Sequence, residues 1–309
     1  MNQRVKLGKT GMEIFPVILG SVSAGQDMDQ KTTNGLIDHY LDLGGNCLDT
    51  ARVYTDGRSE EAIGNWFQSS GRRNDVVLMT KGGHPRMQTM HTPRMCEADM
   101  RSDIEDSLRA LKTDYIDIYF YHRDSLAQSV AESLEIMEKF VKEGKIRSYG
   151  CSNWTSARIQ EAIDYSKAHG LQGFCANQML FNIGSKYMKP FPDDTMCAMD
   201  EQMKQIHTVS DIMSVPYFGV CSGFFYTLKA KGEEAVKNSP YYTPGNLAMA
   251  KRIYELAEAH HTTVTAILLK FFFVQPFPNC PLYGTTKIER LKDLESLFDL
   301  KLTAEDYNV

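Results

Sequence analysis

The feature that most constrains the fold is an alternation of short β-rich runs with longer segments of helical period along the 309 residues. Eight strands are predicted: Val17–Leu19, Asn46–Asp49, Val76–Thr80, Ile116–Tyr121, Ile146–Cys151, Phe174–Asn177, Ser214–Phe218 and Cys280–Tyr283. Apolar residues recurring at helical spacing predict helices between them. These predicted helices are Thr33–Gly44, Asp103–Leu111, Val130–Gly144, Thr155–His169, Asp200–His207, Leu247–His260 and Lys287–Leu297. Strands and helices that alternate in this way form parallel sheets with right-handed crossovers.

Two architectures satisfy strict alternation, a closed (β/α)8 barrel and an open doubly wound sheet. Eight units favour the barrel, and the first strand is not followed by the G-x-G-x-x-G that a dinucleotide-binding open sheet carries. Arg4–Leu7 and Met12–Phe15, joined by a Gly-Lys-Thr-Gly turn, predict a β-hairpin that plugs the bottom of the barrel. We therefore expect one α/β domain over residues 1–309, a TIM barrel preceded by a hairpin.

Net charge and hydropathy exclude some classes of binding partner for this protein. The net charge of −5 argues against a nucleic-acid groove or an anionic membrane surface. The longest apolar runs are far shorter than the ~20 residues of a membrane span, and the first residues contain no signal-like apolar run. The seven cysteines include no C-x-x-C pair, which is typical of free thiols in a reducing compartment. We expect a cytoplasmic protein that acts on a small molecule, with its oligomeric state left open.

A barrel enzyme carries its functional residues at the carboxyl ends of its strands. Four candidates lie there: Asp49 after the second predicted strand, Tyr54 in the same loop, Lys81 after the third strand and His122 after the fourth. A nearby ammonium favours the phenolate and so lowers the pKa of a tyrosine from its ordinary value near 10. A carboxylate keeps that lysine charged, and a histidine can orient a carbonyl oxygen. Together the four side chains predict a general acid for an oxygen that becomes an alkoxide.

From about Val5 to Thr303, the chain resembles the aldo-keto reductases. The segment Leu48–Tyr54 is similar to the family's D-T-A-x-x-Y motif, and the spacing of the four candidates matches the family's catalytic tetrad. The other matching segments are Leu7–Gly11, Leu19–Gly20, Thr80–Lys81, Asp117–Asp124, Gly144–Arg147 and Gly150–Trp154. The resemblance implies reversible hydride transfer between a nicotinamide cofactor and a carbonyl, with Tyr54 as proton donor.

The resemblance also implies which residues hold the cofactor. Ser152, Asn153 and Gln178 would bind the nicotinamide amide, and Tyr217, or failing that Phe218, would stack on its ring. The remaining cofactor-binding residues implied are Gly20, Ser21, Gly284, Thr285 and Arg290. Gly284 lets the backbone approach closely, the helix after it would present its N-terminus to an anion, and Arg290 would bind the 2′-phosphate.

The sequence constrains the cofactor and the substrate less tightly than it constrains the catalytic residues. Many family members have a lysine at the position of Gly284 and an asparagine at that of Leu294, so NADP is favoured but NAD remains possible. An open mouth lined by Arg123, Asp124 and tyrosines favours a polar, sugar-like carbonyl or a glycoside. Two alternatives remain, a non-catalytic NADPH-binding redox sensor in a larger assembly and a lyase or isomerase on the same barrel. No metal is expected, since metal-ligand spacings are lacking.

Overall fold

The computed structural model describes residues 3–308 and contains eight parallel strands that curl into a barrel. A two-stranded antiparallel hairpin precedes them. The strands are β1 (Val5–Lys6), β2 (Glu13–Ile14), β3 (Ile18–Gly20), β4 (Cys47–Asp49), β5 (Val77–Gly82), β6 (Ile116–Tyr121), β7 (Ile146–Ser152), β8 (Ala176–Gln178), β9 (Met213–Ser214) and β10 (Leu282–Gly284). Neighbours in the barrel are β10, β3, β4, β5, β6, β7, β8 and β9, in that order.

The two ends of this series also meet. Ser214 in β9 bridges Asn279, and its carbonyl accepts a hydrogen bond of 2.8 Å from the Cys280 N–H. The Leu282 N–H donates to the Pro216 carbonyl at 2.8 Å, which continues the contact along β10. The predicted (β/α)8 fold is therefore confirmed.

The hairpin seals the barrel at the amino ends of the strands. Leu7 and Ile14 are fully buried in the same apolar cluster as barrel residues such as Met79 and Phe120. Gly8 has a φ of +51°, and a Cβ there would lie 2.9 Å from the carbonyl oxygen of Cys175, just ahead of β8. Only glycine fits a backbone that turns left-handed against another backbone. The predicted plug is confirmed.

Nine α-helices surround the barrel in the described part of the chain. They are α1 (Gln30–Asp42), α2 (Arg58–Ser70), α3 (Glu97–Leu111), α4 (Val130–Lys142), α5 (Ser156–His169), α6 (Glu201–Val209), α7 (Phe224–Lys231), α8 (Pro244–Ala259) and α9 (Val264–Lys270). The sequence patterns missed α2, α7 and α9. In α2 the signal was present, because Ala62, Ile63, Trp66 and Phe67 are buried at helical spacing.

The predicted helix Lys287–Leu297 is wrong as an α-helix. The structure forms a 3-10 helix at Ile288–Leu294. The reason lies in the spacing of Ile288, Leu291, Leu294 and Leu297, whose apolar side chains recur at every third residue. With three residues per turn these side chains share one face, and the three leucines are fully buried. The anion-binding α-helix N-terminus expected after Gly284 is therefore absent.

The seventh predicted strand, Ser214–Phe218, is shorter than expected, because β9 ends at Ser214. Pro216 has no N–H to donate to a strand neighbour, and Phe218 adopts a φ of +56°, outside the β region. The chain still follows β8, since the Tyr217 N–H donates to the Met179 carbonyl at 3.0 Å. Tyr217 is thereby held at the mouth of the barrel.

No helix among residues 3–308 is long and apolar enough to cross a membrane. All seven cysteines are free thiols.

Candidate active site

Strand register brings the predicted residues to one end of the barrel. Gly20 pairs with Asp49 on one side and with Gly284 on the other, and Ser152 pairs with Gln178. Each of these residues ends its strand, so their backbones form a ring around the mouth at the carboxyl ends. Functional residues of (β/α)8 enzymes lie on this face.

Asp49, Lys81 and Tyr54 form a connected buried group inside this ring. The Lys81 Nζ donates to the Asp49 Oδ2 at 2.7 Å and to the Thr50 carbonyl at 2.7 Å, and it lies 3.3 Å from the Tyr54 hydroxyl. The exposed fractions of Lys81 and Asp49 are both 1%. A buried charge is tolerated only when it is paired and hydrogen-bonded, and the three acceptors around the ammonium meet that condition.

The pKa values of this group partly correct the sequence-based expectation. Removal from water raises the pKa of Tyr54, and the opposing effect of the Lys81 ammonium does not fully offset it. The expected net lowering is therefore wrong for this structure, although the lysine acts in the expected direction. Burial by itself lowers the pKa of Lys81, but Asp49 and Tyr54 together raise it above its ordinary value. Lys81 is a stable cation beside a protonated phenol.

His122 packs edge to face on Tyr54, with ring centroids 5.7 Å apart. Burial, followed by the charges of Lys81 and Arg123, lowers the pKa of His122 well below its ordinary value. The imidazole is therefore neutral at physiological pH, so it can orient a substrate oxygen by donating a hydrogen bond. Its Nδ1 atom is buried without a hydrogen-bond partner in the described residues. The His84 ring also packs edge to face against His122, with ring centroids 4.7 Å apart.

The residues expected to hold the nicotinamide amide also make hydrogen bonds within the chain. Gln178 Nε2 donates to the Asp49 Oδ1 at 2.7 Å, so that carboxylate is shared between Gln178 and Lys81. Asn153 donates to the His122 carbonyl and to the Ser152 hydroxyl, and its Oδ1 accepts from the Tyr217 hydroxyl at 2.6 Å. The Asn153 N–H also donates to the Gln178 carbonyl at 3.0 Å, and this bond joins the two sets into one network.

Tyr217 and Phe218, the two candidates for the stacking aromatic, face different directions. The Tyr217 hydroxyl is fixed on Asn153, and burial raises its pKa, so it stays a protonated donor. Phe218 is 38% exposed and stacks on Phe191, with centroids 5.3 Å apart and planes 14° apart. Tyr217 therefore lies beside the predicted amide-binding residues, whereas Phe218 forms an aromatic wall with Phe191 at the rim.

On the opposite side, Gly20 and Gly284 leave a shelf without side chains. A Cβ on Gly20 would lie 3.9 Å from the Gly284 Cα, so side chains here would fill the space above both strands. Beside it, the Ser21 hydroxyl donates to the Asp49 carbonyl at 2.8 Å, and the Thr285 hydroxyl accepts from the Lys287 N–H. A bare backbone shelf beside hydroxyls fits the close approach of a phosphate-containing group.

Arg290 follows Gly284 of this shelf by six residues. Its guanidinium stacks on Tyr226 at 4.6 Å, and it forms no ion pair with any residue in the described range 3–308. A guanidinium that is not neutralised by a carboxylate can bind a phosphate as a fork. Leu294, by contrast, is fully buried in the core and cannot contact a ligand.

The charges expected to line the mouth are not available to a substrate. Arg123 is buried and donates to Asp193 at 2.8 Å and to Thr195 at 2.8 Å. Asp124 is bound by the Arg158 guanidinium through contacts of 2.9 to 3.2 Å. The expectation of a charged rim built from Arg123 and Asp124 is therefore wrong, because each of them forms an ion pair with a residue distant in sequence.

The sequence did not predict that Phe191 stacks on Phe218 or that the His84 ring packs against that of His122. Phe191 and Phe218 belong to different loops, and no local pattern pairs them. His84 follows β5 by only two residues, and this spacing could have indicated that it lies at the barrel mouth.

Eight parallel strands closed into a barrel, with buried ionisable residues at their carboxyl ends, define a (β/α)8 barrel enzyme. The model of the Aldo/keto reductase family matches residues 16–309. The chain therefore belongs to the Aldo/keto reductase family, and it is an NAD(P)-dependent oxidoreductase.

Named relatives cover almost the whole chain. It is 27% identical to the aryl-alcohol dehydrogenase GME11368 of Pestalotiopsis microspora, over 98% of this chain and 79% of the relative. It is 28% identical to the uncharacterized oxidoreductase YqkF of Bacillus subtilis, over 97% of this chain and 93% of the relative. It is 23% identical to the norsolorinic acid reductase stcV of Emericella nidulans, over 98% of this chain and 79% of the relative.

Proposed function

We propose that this chain, as one barrel domain over residues 1–309, reduces a carbonyl with NADPH and reverses the reaction, with Tyr54 as the general acid. The observation that carries this proposal is the 3.3 Å separation between the Tyr54 hydroxyl and the buried Lys81 ammonium at the barrel mouth. A phenol with a fixed cation beside it can release its proton and leave a stabilised phenolate.

Each member of the tetrad has one task in this proposal. The cofactor, when bound, supplies the hydride that adds to the carbonyl carbon. Tyr54 donates its proton to the carbonyl oxygen, and the Lys81 ammonium stabilises the resulting phenolate. Asp49 keeps Lys81 charged and in place. Neutral His122 donates a hydrogen bond to the same oxygen and so fixes the face of the carbonyl that is attacked.

The cofactor would extend from the amide-binding network to the glycine shelf. Ser152, Asn153, Gln178 and Tyr217 would hold the nicotinamide end. The shelf of Gly20 and Gly284, with Ser21 and Thr285, would hold the phosphates. Arg290 would bind the 2′-phosphate, and its freedom from any ion pair within residues 3–308 supports NADPH over NADH. Engaged amides at Asn153 and Gln178 imply that these side chains exchange partners when the cofactor binds.

For the substrate we propose an aromatic carbonyl rather than a sugar-like one. The rim carries apolar surface: Val22, Met87 and Phe218 are 56%, 68% and 38% exposed. The Phe191–Phe218 pair offers a flat face to a ring, and ring pairs contribute about 0.5–1.5 kcal/mol beyond burial. Arg123 and Asp124, whose charges favoured a sugar-like substrate, are paired with other residues of the chain. The name of the Pestalotiopsis microspora relative, an aryl-alcohol dehydrogenase, is in line with an aromatic substrate.

The test follows nicotinamide absorbance with an unsubstituted aromatic aldehyde and with an aldose, each with NADPH and with NADH. We expect turnover with NADPH, higher kcat/KM for the aromatic aldehyde, and retention of NADPH binding but loss of turnover in Tyr54→Phe. Tyr115→Phe is the matched control, since that hydroxyl lies on the outer surface and bonds Asn74. Turnover retained in Tyr54→Phe would remove Tyr54 as the proton donor, and preference for the aldose would restore the sugar-like substrate.

A further inference from the structure

The loop that carries Tyr54 turns through three consecutive residues with positive φ. Thr55, Asp56 and Gly57 have φ angles of +49°, +55° and +88°. Residues other than glycine rarely adopt such angles, and each costs about 1 kcal/mol or more. This backbone persists only if surrounding contacts hold it. Those contacts are of interest because the turn begins at the proposed proton donor.

A buried ion pair lies directly behind this turn. Arg52 Nη1 donates to the Glu60 Oε2 at 2.6 Å. The Glu60 side chain is fully buried, and the Arg52 side chain is 22% exposed. The Arg52 guanidinium crosses over Gly57, where a Cβ would lie 2.5 Å from its Cζ atom. Position 57 must therefore be glycine, because any side chain there would block the path of Arg52 to Glu60.

The same carboxylate also binds the strand that carries Lys81. The Thr80 hydroxyl donates to the Glu60 Oε1 at 2.6 Å, and the Arg52 N–H donates to the Lys81 carbonyl at 3.0 Å. Glu60 lies in the first turn of α2, where the helix dipole stabilises a negative charge. One side chain therefore fastens both the loop of Tyr54 and the strand of Lys81.

We propose that Arg52, Gly57 and Glu60 form a positioning clamp that sets the distance between the Tyr54 hydroxyl and the Lys81 ammonium. This inference rests on the proposed function of Tyr54. None of the three residues lies among those proposed to bind cofactor or substrate. Their effect is geometric, because a misplacement of about 1 Å at a reacting group can lower a rate about 100-fold.

The sharpest test is Gly57→Ala, which displaces the Arg52 side chain without changing either charge. Gly71→Ala is the matched control, because Gly71 ends the same helix with a φ of +69° and has no atom near the place of a Cβ. Both variants carry left-handed strain, and only Gly57→Ala disturbs the clamp. We expect kcat to fall about 10- to 100-fold in Gly57→Ala, with KM for NADPH within about twofold. Gly71→Ala should keep the kcat of the unmodified protein.

A pH profile separates positioning from simple destabilisation. Burial raises the pKa of Tyr54 and so does Asp49, whereas Lys81 and Arg123 lower it. If Tyr54 moves away from Lys81, the ammonium stabilises the phenolate less, so the pKa of Tyr54 rises further. The alkaline limb of kcat for reduction should therefore move to higher pH in Gly57→Ala. A general loss of stability would lower the amount of active protein and leave that limb in place.

Four outcomes would overturn the inference. Equal kcat and an equal alkaline limb in Gly57→Ala and Gly71→Ala would overturn the clamp, as would a loss confined to the KM for NADPH. If circular dichroism shows that Gly57→Ala does not fold, Arg52→Lys replaces it. That variant keeps the charge but loses the guanidinium that reaches Glu60 across Gly57, and an unchanged kcat would equally refute the clamp. Turnover retained in Tyr54→Phe in the same assay would instead refute the proposed function, and the clamp with it.

Discussion

Replacing Lys81 by methionine should destabilise the protein and abolish turnover for two separable reasons. The methionine keeps much of the apolar stem but removes the cation, so the Asp49 carboxylate stays buried with Gln178 as its remaining side-chain donor. Turnover is lost because the Tyr54 hydroxyl no longer has an ammonium beside it. The double variant Lys81→Met/Asp49→Asn also removes the unpaired Asp49 charge, but Tyr54 still lacks an ammonium beside its hydroxyl.

The magnitude follows from burial. Removing one partner of a buried ion pair costs about 3–5 kcal/mol, because the other charge stays desolvated. An unfolding entropy of about 2.1 cal/mol/K per residue gives about 0.65 kcal/mol/K for this chain. Lys81→Met should therefore lower Tm by about 5–8 °C. The double variant should recover most of that loss, since the amide that replaces the Asp49 carboxylate can still accept from Gln178 without carrying a charge.

Thermal unfolding and NADPH oxidation, measured on the same samples, test this reasoning. Lys139→Met is the control, because Lys139 is half-exposed in its pair with Glu97 and its loss should cost less than about 1 kcal/mol. The double variant should be more stable than Lys81→Met yet equally inactive. A double variant no more stable than Lys81→Met would show that the stranded carboxylate is not the source of the loss. Activity restored in the double variant would show that Lys81 is not needed beside Tyr54.

Two further predictions concern the cofactor and pH. Arg290→Ala should raise KM for NADPH about 10- to 100-fold and that for NADH by less than about twofold, because one charge-assisted phosphate contact is worth about 1.5–3 kcal/mol. Lys292→Ala, a charge loss in the same exposed segment, is the control, and equal losses with both cofactors would refute the assignment. Burial lowers the pKa of His122 in the folded state. Below about pH 6.5 the unfolded chain therefore binds a proton at His122 that the folded chain does not bind. The free energy of unfolding should then fall by up to about 1.4 kcal/mol for each unit decrease in pH. His122→Asn should reduce that slope and abolish turnover. His207→Asn, at a buried histidine whose pKa is also lowered, should reduce the slope but keep turnover. An unchanged slope in both variants would contradict this prediction.

The position of the site was predictable because parallel strands end at one face. Asp49, Lys81 and His122 each close or follow a predicted strand, so barrel closure alone brings them together. The strands themselves were predictable from their composition. In β6 all six residues are buried, and five of them are apolar or aromatic. The 3-10 helix after β10 could also have been recognised from its three-residue apolar spacing.

Side-chain pairing was not predictable, because it depends on partners far away in sequence. Arg123 pairs with Asp193, 70 residues on, and that contact removed the charge expected at the mouth. Gln178 reaches Asp49 across 129 residues. The balance between burial and the Lys81 charge at Tyr54 likewise depends on how deeply the phenol is enclosed, and spacing carries no such information.

The pairing of β10 with β3 also sets when the site can form during folding. Ile18 lies beside Leu282, about 260 residues along the chain. Loop-closure entropy grows as (3/2)RT ln n, so this pairing costs about 2 kcal/mol more than closing a neighbouring unit of about 30 residues. Native contacts of such sequence separation form slowly. The glycine shelf, which consists of one residue from each of these two strands, is thus among the last parts of the barrel to assemble, and cofactor binding during refolding reports the completed ring rather than its early units.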